Sequence, residues 1–128
     1  MRFKWLACLC TALLAVGGAT ANAQTQSAAP VYIVTYYEVI PAGQHVPAGP
    51  KPAEIFRRYT RLSVKEPGAV SFNVMRAVAA QNHYVVLEVW DNQNDFTQHE
   101  SAPAAQQLAT AIDSWLIDPS DQRVHTKF

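Results

Sequence analysis

Residues Val31–Ile40 read VYIVTYYEVI, ten positions with no Gly, no Pro and a single charge at Glu38. Consecutive β-branched and aromatic side chains favour extended backbone, and a strand sends alternate side chains to opposite faces. Apolar groups therefore stand on both faces, and both need cover. Helices can cover one. The 128-residue chain, 49% hydrophobic, suffices for one core and is too short for two ordinary ones. The second cover is most simply another copy of the chain in a C2 homodimer.

The rest of the chain says what the first cover is. Pro41–Pro52 (PAGQHVPAGPKP) is too rich in Pro and Gly for regular structure and marks a long loop. Ala53–Glu66 sets Ile55, Phe56, Tyr59 and Leu62 at helical spacing, with Arg57, Arg58 and Arg61 opposite. Pro67-Gly68 stops that helix. Ala69–Val78 alternates, with Val70, Phe72, Val74 and Val78 on one face, and His83–Trp90 follows after a short link, so the two form a hairpin. Asp91–Asn94 supplies caps for a short helix running to about His99. Ser101 as cap with Pro103 in the first turn starts another, whose face carries Leu108, Ile112, Trp115 and Leu116. Gln122–Phe128 is a closing strand. The order β-α-β-β-α-α-β is the split βαβ pattern of an α+β, ferredoxin-like sandwich, a four-stranded antiparallel sheet with its helices on one face.

Residues 1–23 stand apart. Arg2 and Lys4 precede an apolar run from Trp5 to Val16, and Ala21-Asn22-Ala23 has the small-x-small form of a cleavage site. This is the layout of a secretory signal peptide, and its dozen apolar residues fall short of the roughly 20 that a stable membrane anchor takes. The expected product is periplasmic or secreted, with a flexible leader over Gln24–Pro30 and one domain from Val31 to Phe128. Cleavage after Ala23 removes both cysteines, Cys8 and Cys10, and with them any thiol or disulfide chemistry. It also removes two cations, leaving eight Lys and Arg against ten Asp and Glu, a balance that does not fit a nucleic-acid groove. The four His are scattered without H-x-x-x-H or H-E-x-x-H spacing, so no metal site is expected.

Glu66-Pro67-Gly68, then Val85-Val86-Leu87-Glu88-Val89-Trp90, then Asp91 through Phe96, His99 and Ser101 resemble the antibiotic biosynthesis monooxygenase domain. That family forms a dimeric α+β barrel and includes quinol monooxygenases. The resemblance covers the whole chain from Val31 to Phe128. It implies oxidation of a quinol or another electron-rich aromatic with O2 and no metal or flavin cofactor, the substrate supplying the electrons. It implies as partners only the small aromatic substrate and a second protomer. The aromatic-polyketide branch resembles this chain in Trp90, while its Asn and Tyr fall near Val86 and Phe96. The haem-degrading branch has its Asn, Trp and His at positions that fall here near Tyr37, at His99 and near Ala109, and none matches.

Within that frame His99 is the candidate proton acceptor, since an ordinary imidazole titrates near ~6.5 and lies about one helical turn beyond Phe96. Its bland alternative is a helix-end histidine held by Glu88 or a carbonyl. Trp90, Tyr37 and Phe96 are candidate walls for a flat substrate, although aromatics mostly pack cores. Glu88 shares a strand face with Trp90 and, if buried, needs a partner such as His99 or an Arg. Arg76 interrupts an apolar face and could pair with Glu88 across the hairpin. His45 in the Pro/Gly loop is expected to face solvent, a pocket rim being its alternative, and His83 and His125 belong to the surface. The competing function on the same fold is a non-catalytic periplasmic binding module for a hydrophobic small molecule.

Overall fold

A computed structural model describes residues 29–44 and 46–128. The signal-peptide segment, most of the leader, both cysteines and His45 lie outside the described residues. The elements run β1 (Val31–Glu38), α1 (Pro52–Ser63), β2 (Ala69–Arg76), β3 (His83–Trp90), α2 (Gln93–Glu100), α3 (Pro103–Asp113) and β4 (Asp121–Thr126). The sheet order is β2-β3-β1-β4, with every neighbouring pair antiparallel. β1 and β2 flank β3, so the crossover through α1 skips one strand, as the split βαβ pattern requires. The α+β sandwich expected from the element order is the fold observed.

The register explains which side chains meet. β1 lies against β3 with Ile33 opposite Glu88 and Tyr37 opposite Tyr84. Val31, Ile33, Thr35, Val86, Glu88 and Trp90 all point under the helices and are buried. Ile55, Phe56 and Tyr59 from α1 and Leu108 and Ile112 from α3 close the core above them. The opposite sheet face is left by the helices: Tyr36 is 47% exposed, and Val34, Val85, Leu87 and Val89 are half-buried.

Several local expectations are corrected. α1 ends at Ser63, and Leu62 is exposed because its end of the helix walls an open groove between α1 and α3. A β-bulge between Ala69 and Ser71 breaks the alternation of β2, which turns Val70 out. β2 stops at Arg76, so Val78 lies in the turn and is almost fully exposed. Ser101 caps the C-terminus of α2, whereas the residue before Pro103 that caps α3 is Ala102. Trp115 and Leu116 follow α3 instead of continuing it. There they tie back to the end of β1, with Ile40 N–H donating to the Trp115 carbonyl at 2.8 Å.

Candidate active site

Four side chains from three elements meet beneath the helices. Tyr59 hangs from α1, Glu88 and Trp90 rise two residues apart from the same face of β3, and His99 lies in the last turn of α2. All four are buried, with Trp90 wholly out of solvent. Buried polar groups need partners, and these satisfy one another. Tyr59 Oη is 2.6 Å from Glu88 Oε1 and 2.8 Å from His99 Nε2. Trp90 Nε1–H donates to Glu88 Oε2 at 3.1 Å. The far nitrogen of the imidazole, Nδ1, is 2.7 Å from Glu66 Oε2.

Glu66 reaches the cluster because of the turn that follows α1. Gly68 sits at φ +78°, a conformation that favours glycine. A Cβ placed there would collide with the side chain of Asp95 at the start of α2. The turn is pinned from the other side too, Asp91 N–H donating to the Gly68 carbonyl at 2.8 Å. α2 itself is started by Asn92, whose side-chain oxygen accepts the Asp95 N–H at 3.0 Å. Glu-Pro-Gly, just beyond the end of α1, thus forms the turn into β2 and clamps α2 at the height that brings His99 to Glu66.

The proton arrangement follows from counting donors. Burial first, and then the nearby Glu88 carboxylate, push the Tyr59 phenol far above its ordinary pKa, so it keeps its hydrogen. That single hydrogen goes either to Glu88 or to His99. In the first case the Tyr59 oxygen accepts from Nε2–H and Nδ1–H donates to Glu66, which is an imidazolium between two carboxylates. In the second, Tyr59 donates to Nε2 and a protonated Glu88 donates to Tyr59. Both arrangements hold the same number of protons. They differ only by passing one from Glu88 through Tyr59 to His99.

This chain opens onto a cavity of about 620 Å³ whose walls include Tyr37, Tyr59, Glu88, Phe96 and His99. Leu108 and Ile112 of α3 face them, and Glu100, Asp113 and Asp118 stand at its mouth. A volume of that size falls in the range of small-molecule sites. Tyr37 packs edge-on against Phe56 with ring centroids 5.1 Å apart, and its phenol is also held protonated, first by burial and then by Glu88. Among the described residues no group of three or more His, Cys, Asp or Glu is arranged to hold a metal ion, and no helix is long and apolar enough to cross a membrane.

Of the residues singled out in the sequence, His99, Tyr37, Phe96 and Glu88 line this one cavity. Trp90 does not. It lies behind the imidazole, ring centroids 4.5 Å apart and 32° from parallel, and orients Glu88 through its N–H. Arg76 is also elsewhere. It is opposite Tyr84 while Glu88 is opposite Phe72, four residues along β2, so the expected Arg76–Glu88 pair is not formed. Glu88 takes Tyr59 and Trp90 as partners instead. His83 and His125 are exposed, and His83 meets Glu38 at 3.3 Å. Tyr59 and Glu66 were missed as site residues, one concealed in an amphipathic stripe and the other in a helix stop. A phenol on an apolar helix face, which needs a buried hydrogen-bond partner, was the available signal.

Residues 30–111 match the sequence model of the antibiotic biosynthesis monooxygenase family. The chain belongs to that family. Solved structures with the same fold include SnoaB, a cofactor-independent oxygenase from Streptomyces nogalater, at 24% identity and TM-score 0.65 over 79% of this chain and 95% of that one. A conserved protein of Bacteroides thetaiotaomicron aligns at 15% identity and TM-score 0.68 over 79% of this chain and all of that one. A Mycobacterium tuberculosis protein aligns at 13% and 0.67, over 77% and 95%. At these identities the likeness is one of fold. Comparison with curated protein sequences finds no match.

Proposed function

We propose that this family member is a cofactor-independent monooxygenase for a quinol or similar electron-rich aromatic. The observation that carries the reading is the buried Glu88–Tyr59–His99 chain ending on the wall of the aromatic-lined cavity. A quinol that loses its phenolic proton becomes a strong electron donor to O2. One oxygen atom then enters the ring at a C–H carbon and the other leaves as water. The substrate supplies all four electrons and ends as a hydroxyquinone. The protein has only to take the phenolic proton, return it to the departing oxygen and keep bulk water away. In both arrangements the chain is already loaded; one proton poorer, it can take the phenolic proton at Glu88 and pass it through Tyr59 to His99, where Glu66 stabilises the positive ring.

Oxygen uptake with a panel of reduced quinols, wild type against His99→Ala, tests this. Uptake above buffer that falls in the variant supports it. Equal rates in both would remove His99 from the chemistry, and no uptake by wild type would remove the enzyme reading for that panel. A second reading, a binding module for a hydrophobic small molecule, is favoured by the occupation of both His99 nitrogens by protein groups. It predicts an aromatic ligand that stays bound and unchanged under O2.

Two further features belong to the proposal. The apolar outer sheet face is read as the homodimer surface, and Arg2, Lys4 and the apolar run to Val16 are read as an export signal that places the domain in the periplasm or outside the cell. Mass measurement of the N-terminus of exported protein, with Gln24 first, checks the second.

A further inference from the structure

Arg76 leads to a second site. It lies at the end of β2 beside α1, where a groove of about 570 Å³ runs between the two elements. Arg57 and Arg61, one helical turn apart on α1, stand on the same groove with the Thr60 hydroxyl between them. Its lining is otherwise apolar, with Val74, the exposed Met75, and the largely buried rings of Phe56 and Tyr84. Past Ala53, a second depression of about 500 Å³ shares Arg76 and Tyr84 and adds Lys51 and the buried ring of Trp115.

No Asp or Glu is among the described residues that line either depression. None of Arg57, Arg61 and Arg76 makes an ion pair or hydrogen bond to another described side chain, whereas the neighbouring Arg58 donates to Gln107. Glu100, Asp113 and Asp118 stand at the mouth of the cavity beside His99, and Glu54 of α1 lines the neighbouring groove that Arg61 also borders. Three guanidinium groups brought together without a counter-charge repel one another. Guanidinium matches a planar oxyanion in two-pronged geometry, and the apolar lining offers contact to an apolar body.

We propose that these two depressions form one binding site for a small amphipathic oxyanion, specifically an aromatic carboxylate, with its ring against Val74, Met75 and the edge of Tyr84 and its carboxylate between Arg57, Arg61 and Arg76. The site is separate from the oxygenase cavity and does not depend on that activity. Titration calorimetry of the domain with 2-naphthoate and with its neutral analogue 2-naphthylmethanol tests it, with amide chemical shifts to locate the ligand. Naphthoate is expected to bind about tenfold or more tightly than the alcohol, to weaken as salt is raised, and to shift amides around Thr60 and Arg76. The Arg57→Gln/Arg76→Gln pair should lose about tenfold or more in naphthoate affinity, while Arg57→Lys/Arg76→Lys, which keeps the charge, should retain part of it. Equal affinity for acid and alcohol, undiminished binding by the Gln pair, or shifts clustered around His99 would each overturn the assignment.

Discussion

The hydroxyl of Tyr59 lies 2.6 Å from Oε1 of Glu88, joining residues 29 apart in the chain. It is the only hydrogen-bonding group at the tip of that side chain, and it also serves His99 at 2.8 Å. Tyr59→Phe keeps the ring and deletes the link. A buried carboxylate and imidazole then each lose a partner, at a cost of about 1–3 kcal/mol. Urea unfolding reads that loss. On the oxygenase reading, quinol-dependent oxygen uptake should also fall about tenfold or more, since the proton route is cut. A Phe variant as stable and as active as wild type would leave Tyr59 with no role beyond packing.

Glu66→Gln separates charge from geometry at the other end of the chain. The amide oxygen can still accept from Nδ1 at the position where Glu66 now stands, 2.7 Å away, but it no longer balances a positive ring. The Glu66 side chain is 20% exposed and keeps a hydrogen bond to a buried ring, so stability should fall by about 1–3 kcal/mol. On the oxygenase reading, quinol-dependent oxygen uptake should fall by more than that stability change accounts for. Uptake at the wild-type rate would show that the ring carries no positive charge in the rate-limiting step.

Gly68→Ala tests the clamp. Alanine at φ +78° is strained, and its methyl group meets the Asp95 side chain, which cannot simply swing away because it also accepts from the Asn92 side chain at 2.7 Å. A loss of about 1–3 kcal/mol is expected in thermal or urea unfolding. Because the same turn delivers Glu66, His99 ring resonances should shift as well. A variant that is less stable but whose His99 signals are unmoved would assign Gly68 to folding alone.

Periodicity made most of the fold legible, because burial acts on faces: Ile55, Phe56 and Tyr59, or Val86, Glu88 and Trp90, share a side at fixed spacing. It could not show the bulge at Val70, which depends on how β2 meets β3, nor the exposure of Leu62, which depends on where α3 passes. His99, Glu88, Tyr37 and Phe96 were visible as polar or aromatic exceptions on apolar faces. The parts that escaped are relations between elements. Tyr59 is a site residue because α1 lies over β3, and Arg76 stands away from Glu88 because of the hairpin register. Pairing across a sheet is set by register, and one strand's sequence carries little of it.

The outer sheet face supports a prediction about assembly. Val34, Val85, Leu87 and Val89 form a half-buried apolar surface centred on the two middle strands, a place where solvent-facing strands usually carry polar groups. If two copies cover it, Leu87→Lys should convert dimer to monomer in sedimentation experiments, because the interface would have to bury an unpaired ammonium. His83→Ala, at the strand end, should leave the assembly unchanged. A wild-type monomer at all concentrations would remove the dimer.

Alkaline pH should expose the two buried phenols. Tyr37 and Tyr59 both have pKa values raised above the ordinary 10.0, first by burial and then by Glu88. In the unfolded chain they ionise near 10, so above that pH the unfolded state binds fewer protons than the folded one. Stability should therefore be unaffected by these groups below about pH 10 and fall as pH rises past it, by up to about 1.4 kcal/mol per pH unit for each phenol. Tyr59→Phe and Tyr37→Phe should each flatten that decline, and the double variant should flatten it most, even where Tyr59→Phe lowers stability at neutral pH. Urea unfolding followed across the alkaline range measures the slope, and tyrosinate absorbance shows whether the two rings ionise with unfolding or before it. Ionisation of both while the fold is intact would mean that water or motion reaches Glu88, which would count against the oxygenase reading, since a quinolate there would not be protected from side reactions.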